Sequence, residues 1–519
     1  MVEQHGQRGT WGSTVGFILA SAGSAVGLGN IWRFPYVVGE NGGAAFVLLY
    51  LLCVLFISAP VMIAELALGR HTQRNPIGAF SALVPGSRWK LVGALGVLTG
   101  VGILSFYSVI AGWTLQYAVR SIATPGYIRY SQAEGDSLWA HFVADPKNLA
   151  QALMEEGVLS AEPSTRSEQE VSEAWQAFTN EARFSAYKEK MIGRLHNLSL
   201  FEKFASNGWG PVLYLFLFIL LTGAVVAGGV AAGIERWSRV LMPVLFVLLV
   251  LLALRAITLK GASQGLVFYL KPDLSKLTLE SFARALGQAF FSLSLGMGTM
   301  ITYGSYLSRR DNIPRSAAWV CLSDTMVALI AGLVIFPALF AMGFRPDAGV
   351  SLVFVVLPSI FAHMPAGAFF AAAFFLLLCV AALTSTISLL EVPVAYLVDE
   401  HRWPRRRAVV VTSAVAFVLG IASALSTGAI PALSKLPGVG IGVLEFFNAL
   451  FGNYALSIGA LGVALFVGYR WGTKAVAAEV EQHGNEFYLR RTWSAMIRYV
   501  SPLGIALVLV YILLTGKYF

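Results

Sequence analysis

The sequence predicts an all-α protein that crosses a lipid bilayer many times. Hydrophobic residues make up 57% of its 519 residues and charged residues only 13%, against about 25% charged in an ordinary soluble domain. Mean hydropathy is +0.69. Apolar runs of roughly twenty residues, the length an α-helix needs to cross hydrocarbon, recur from end to end. The net charge of +9 fits basic loops held on one side of a membrane and gives no reason to expect nucleic acid as a partner. Cys53, Cys321 and Cys379 lie far apart in apolar stretches and read as small core side chains, not as a disulfide or metal framework. The first residues are polar and include Arg8, so no cleavable signal peptide is expected.

Eleven spans are expected, over about 12–36, 42–69, 89–122, 210–231, 237–257, 281–306, 315–342, 366–398, 406–425, 441–469 and 495–516. The loops after spans two, six and eight carry Arg70, Arg74, Arg88 and Lys90, then Arg309, Arg310 and Arg315, then Arg402, Arg405, Arg406 and Arg407. All lie on the side of the N-terminus, which is therefore expected to be cytoplasmic at a cell's inner (plasma) membrane, with the C-terminus outside. The long polar stretch at about 124–209 then falls outside. It reads as a solvated cap with short helices, since Val171, Trp175 and Phe178 have helical spacing.

The first span is not a simple anchor. Gly23, Gly27 and Gly29 weaken its helix, while Asn30 and Arg33 place polar groups in hydrocarbon. A helix that breaks at mid-membrane frees carbonyls and amides that only a ligand, an ion or buried protein can satisfy. Span six repeats the pattern: Gly27-Leu28-Gly29-Asn30 is matched by Gly296-Met297-Gly298-Thr299. Two broken helices five spans apart and opposite in direction predict an inverted repeat of five plus five helices. The chain would divide into an N-terminal segment 1–11, a first repeat 12–257 that includes the insert, a second repeat 281–469 and an appended span 495–516.

Three further polar features lie in the spans. Thr384-Ser385-Thr386 in span eight reads either as helix packing or as hydroxyl ligands for a hard cation. Asp324 in span seven is an intramembrane carboxylate and hence a site candidate. Glu65, near the end of span two, suits either the freed amides of a broken helix or a substrate. The chain contains no nucleotide-binding loop and no catalytic constellation, so an enzyme is not expected, and its histidines have no metal spacing.

The stretch Gly23–Pro35, Asn41-Gly42-Gly43, Glu65 through Gly69-Arg70, Ser292 to Gly298, and Thr384-Ser385 together resemble the neurotransmitter:sodium symporter family, above all its bacterial amino-acid transporters. The resemblance covers the whole predicted membrane domain. It implies a leucine-transporter-like fold, Na⁺ as the coupled ion and two sodium sites. The first would use Ala25, Asn30, Ser292 and Asp324 together with the substrate's carboxylate. The second would use the carbonyls of Gly23, Val26 and Ala381 and the hydroxyls of Thr384 and Ser385. The substrate's carboxylate would meet Leu28, Gly29 and Tyr107, and its amine the carbonyls of Ala25, Phe291 and Ser294. Ile103, Phe291, Met297, Ser385 and Leu389 would line a deformable apolar pocket.

The implied function is sodium-coupled symport of a neutral, hydrophobic amino acid by alternating access. Asp324 would stand in for chloride. A γ- or β-amino acid or taurine carrier is one alternative, and a non-transporting amino-acid sensor another. Arg8 with Asp399 would form one gate, with Trp11 nearby. Arg33, Phe291 and Tyr107 would form the other, with Glu445 or Asn448 opposite Arg33. The oligomeric state is left open.

Overall fold

The computed structural model describes residues 9–159, 167–344 and 351–516; Arg8 lies outside them. Helix α1 (Thr14–Ala25) begins where Ser13, in extended conformation, accepts a hydrogen bond from the Gly16 amide. After the break come α2 (Gly29–Glu40), α3 (Ala44–Thr72), a short α4 (Pro76–Leu83) and the long α5 (Lys90–Ala123). The insert contributes α6 (Gln132–Val143), α7 (Pro146–Glu155), α8 (Glu168–Thr179) and α9 (Phe184–Ala205). Then follow α10 (Trp209–Ala227), α11 (Val230–Ile257), α12 (Ala262–Leu270), α13 (Leu279–Ser292), α14 (Thr299–Gly304) and α15 (Ile313–Ala341). Last come α16 (Leu352–Ala362), α17 (Gly367–His401), α18 (Arg405–Leu425), α19 (Val443–Val480) and α20 (Arg490–Thr515).

Among the described residues, nine helices are long and apolar enough to cross a membrane, and α1 with α2 makes a tenth, bent by 49°. The expected sixth span appears as α13 and α14, which are too short to cross singly because six residues between them are not helical. The fourth span ends at Ala227, not near 231, because the chain turns at Gly228 and Gly229.

The distribution of polarity is that of a membrane protein. Leu213, Leu220, Val247, Leu254 and Val418 face outward, while Asn30, Glu65, Arg70, Asp324 and Glu391 are fully buried. Each buried charge needs partners. Glu391 holds Arg405 at 2.5 Å and the Tyr306 hydroxyl at 2.7 Å, and Arg70 holds Glu479 at 2.8 Å. Helix α1 packs on α11, α15 and α17, and α5 packs extensively along α17, which leaves the two breaks inside the bundle.

The insert has its own apolar cluster, built on Phe142, Leu153, Val171, Trp175, Phe178 and Met191. A capping box at Ser167 and Glu170 starts α8. Helix α9 docks on α16: Asn197 donates to Ser359 at 3.2 Å, and Ser359 donates to the Gly193 carbonyl at 3.0 Å.

Candidate functional site

Helix α1 stops at Ala25 because Val26 is extended, with φ −75° and ψ 99°. The amides freed there meet side chains. Asn30 Oδ1 accepts from the Gly27 amide at 3.1 Å, and Tyr107 Oη accepts from the Leu28 amide at 2.9 Å. Gly27 leaves open a corner that any side chain would crowd. A Cβ there would stand 2.8 Å from Tyr107 Oη and also strike Ser385 Oγ.

At the second break Ser294 has φ 55°, and Gly296 and Gly298 have φ 77°. The Gly296 amide donates to Glu65 Oε1 at 2.8 Å. Of the two uses open to Glu65, the structure therefore shows the capping of a freed amide. The two breaks are joined directly: Ser294 Oγ donates to the Ser24 carbonyl at 2.9 Å, and Ser24 Oγ donates to Ser388 Oγ at 2.7 Å.

Between the breaks lies a small cavity. Ala25, Gly29, Ser292 and Ser294 supply its polar or backbone wall, and Ile103, Phe291, Met297 and Leu389 its apolar wall. Tyr107 and Ser385 also line it, as do Ser24 and Gly27. Of the substrate contacts expected, Leu28 is absent from the lining and is tied in through its amide to Tyr107.

Beside the cavity, Asp324 gathers the first oxygen cluster. Its Oδ1 accepts from Asn30 Nδ2 at 2.7 Å and from Ser292 Oγ at 2.7 Å. Its Oδ2 accepts from the Tyr50 hydroxyl at 3.0 Å, a partner the sequence reading does not include. No Lys or Arg pairs with Asp324 among the described residues, so its partners are neutral donors. Asn30 turns its amide nitrogen, not its oxygen, toward this carboxylate, because an ionised carboxylate only accepts.

The second cluster is richer in oxygen. Thr384 Oγ1 lies 3.0 Å from the Ala381 carbonyl, 3.3 Å from that of Val380 and 3.4 Å from that of Val26. Ser385 Oγ lies 3.3 Å from the carbonyls of both Ser24 and Ala381. Gly23 faces Thr384, whose Cβ would be 3.2 Å from a Cβ added there. Each hydroxyl has one proton, so several of these close oxygen pairs have none between them. A hard cation that takes oxygen ligands suits such a spot.

At one end Phe291 and Tyr107 close over the cavity with ring centres 6.5 Å apart, and the Arg33 guanidinium stacks 4.8 Å from the Phe291 ring. Arg33 does not meet Glu445 or Asn448. Its Nη2 donates to Asn453 Oδ1 at 3.3 Å, and Glu445 is exposed. The physical reason is a π-helical stretch at Asn448–Ala455, which changes which side of α19 each residue faces. At the other end Asp399 accepts from the Asn75 amide at 2.9 Å, while its expected partner, Arg8, lies outside the described residues. Trp11 donates to the Tyr303 carbonyl at 3.0 Å and packs edge-on to Tyr303 and Tyr306.

Two broken helices around one cavity, with oxygen clusters at the breaks, narrow the possible relatives, and comparison with known proteins decides among them. The model of the sodium:neurotransmitter symporter family matches residues 8–518. The chain belongs to this family. A sodium-dependent transporter of Bacillus subtilis, YhdH, is 36% identical over 502 residues, covering 96% of each chain. A sodium-dependent transporter of Haemophilus influenzae is 32% identical over 516 residues, covering 98% of this chain and 99% of that one. Among solved structures, that of MhsT in complex with L-phenylalanine matches with a TM-score of 0.78 and 39% identity, over 97% of this chain and 99% of that chain. As a member of the sodium:neurotransmitter symporter family, the protein is a sodium-dependent membrane transporter and not an enzyme.

Proposed function

We propose that this symporter imports neutral, hydrophobic amino acids, couples each to two sodium ions and needs no chloride. One observation carries this reading: a small cavity with an apolar far wall lies between two oxygen clusters at paired helix breaks. That MhsT is seen with L-phenylalanine supports the substrate class.

In this reading the first ion is held by the Ala25 carbonyl, Asn30 with its amide oxygen turned inward, Ser292, Asp324 and the substrate's carboxylate. The second is held by the carbonyls of Gly23, Val26 and Ala381 and by Thr384 and Ser385. A carboxylate shared with the first ion couples the two, because each raises the other's affinity. Tyr107 accepts from the Leu28 amide, so its own proton is available to the substrate's carboxylate, beside the Gly29 amide. The carbonyls of Ala25, Phe291 and Ser294 receive the amine. Gly27 leaves the space that the carboxylate needs. A γ-amino acid would carry its amine toward Met297 and Leu389, which offer no acceptor.

Residues 12–257 and 281–469 act as inverted repeats with 495–516 appended, and the first helices of each repeat rock against the rest. The N-terminus and the arginine-rich loops lie in the cytoplasm of a cell whose inner membrane holds the protein, and the C-terminus lies outside. Sodium entry supplies about 2.3 kcal/mol per charge per 100 mV, besides its concentration gradient. The fixed charge of Asp324 replaces chloride. Ala328, one turn on, has no hydroxyl to hold an anion.

The test is binding of labelled leucine to the purified protein with and without Na⁺, in competition with the other amino acids, γ-aminobutyrate and taurine, followed by uptake into proteoliposomes. Na⁺-dependent binding displaced by neutral α-amino acids, with accumulation driven by a Na⁺ gradient, is expected. Displacement by γ-aminobutyrate or taurine alone overturns the substrate class, and binding without accumulation makes the protein a sensor.

A further inference from the structure

Arg33 is 8% exposed, and its Nη2 donates a hydrogen bond to Asn453 Oδ1 at 3.3 Å. Its Nη1 is buried and has no partner among the described residues. Asn453 is 2% exposed, and its Nδ2 is also buried without a partner. The orientation of that amide follows from chemistry: a guanidinium has donors only, so the oxygen must face it and the second donor must turn away.

Among the described residues no carboxylate pairs with this cation. Among the described residues, the ionisable groups that act on Arg33 are the Tyr36 phenol and a second guanidinium, Arg284. Arg284 is itself held by Glu40 at 2.6 Å and Glu280 at 2.9 Å, so both of those acids are turned away from Arg33. Glu445, on the helix that carries Asn453, is exposed. The Phe291 ring offers a π-face at 4.8 Å, which attracts the cation but accepts no conventional hydrogen bond. A buried charge without a counter-charge is costly, and water would satisfy its donors but not its charge.

From these two orphaned donors flanking one hydrogen bond, we infer that Arg33 and Asn453 form a binding site for a small monovalent anion, which helps to hold the lid over the cavity shut. The ligand is small because both side chains are almost fully buried, and monovalent because one guanidinium charge is uncompensated. A halide or a carboxylate has the required chemistry. This site is separate from the Asp324 cluster, so an anion here lengthens retention of the substrate without being needed for sodium coupling. The inference rests on the proposed substrate only for its kinetic readout.

The experiment follows release of labelled leucine from the Na⁺-loaded protein in chloride, bromide or gluconate, a carboxylate too bulky for so buried a site. Release about tenfold slower in the halides is expected, the worth of one charge-assisted hydrogen bond. Asn453→Asp supplies the missing carboxylate, so its release should be slow in all three salts. Release indifferent to halide but slowed by excess unlabelled leucine and not by leucinol, an effect lost in Asn453→Asp, identifies the substrate's own carboxylate as the anion at the same site. Release indifferent to both, or a halide effect unchanged in Asn453→Asp, overturns the inference. Anomalous scattering from bromide-soaked crystals gives a readout that needs no variant and no labelled substrate. Bromide between Arg33 and Asn453 supports the site, and bromide only at Asp324 and Tyr50 overturns it. A protein that fails to bind leucine but holds bromide at Arg33 would refute the substrate assignment and leave the anion site standing.

Discussion

Replacing Tyr107 by Phe removes one oxygen at the point where the first break, the cavity and the proposed substrate carboxylate meet. The hydroxyl accepts from the Leu28 amide at 2.9 Å and has its own proton left to give. Losing a hydrogen bond to a charged carboxylate costs about 1.5–3 kcal/mol, which is about ten- to 150-fold in affinity. The orphaned Leu28 amide costs about 1–3 kcal/mol more in the free protein. A carboxylate that shifts onto this amide recovers part of that, so the affinity loss should fall at the lower end, about tenfold. The assay is equilibrium binding of labelled leucine at saturating Na⁺, with Tm measured on the same preparation. Weaker binding together with a lower Tm is expected. Affinity unchanged within about twofold, less than a typical hydrogen bond to a charged group is worth, would refute the assignment of Tyr107 to the carboxylate.

Other substitutions probe the remaining parts. Gly27→Ala should abolish leucine binding, because its Cβ would stand 2.8 Å from Tyr107 Oη; binding at wild-type affinity would show that the corner is not where the carboxylate sits. Thr384→Val with Ser385→Ala should raise the Na⁺ concentration for half-maximal binding by about tenfold or more, since two of the oxygens a hard cation needs are lost. At saturating substrate, wild-type uptake should be equal in chloride and gluconate, whereas Asp324→Asn should require chloride; strong chloride dependence of the wild type would remove Asp324 from that role. Glu391→Gln breaks a pair whose carboxylate is fully buried and lies 2.5 Å from Arg405. It should cost about 3–5 kcal/mol, read as a fall in Tm that Arg405→Gln in the same chain partly reverses.

The main features of the membrane architecture were legible in the sequence because lipid leaves few choices. Hydrocarbon admits helices and excludes unpaired backbone, so apolar length locates the spans. Glycine beside Asn30 and Arg33 likewise marks a break in the first span, and Gly296-Met297-Gly298 marks its counterpart. Residues next to those breaks could be nominated because the breaks expose the groups that bind. Partners on distant helices, such as Tyr107, Asp324 and Thr384, are named as such only through the family resemblance, and others are missed. Tyr50 reaches Asp324 across 274 positions of sequence, and Ser24 finds Ser388 across 364. Glu391, an acid inside span eight, goes unnoticed in the sequence, and its pairing with Arg405 and Tyr306 is a fact of packing. The partner of Arg33 shows the limit most directly. The family resemblance points to Asn448, and helical spacing from there to Glu445, whereas a π-helical stretch turns Asn453 toward it instead. By itself the sequence determined where the helices lie and where they break, since those follow from local composition and the solvent. Only the tertiary structure decided which side chains meet across the breaks, since that depends on the helices' relative rotation and register.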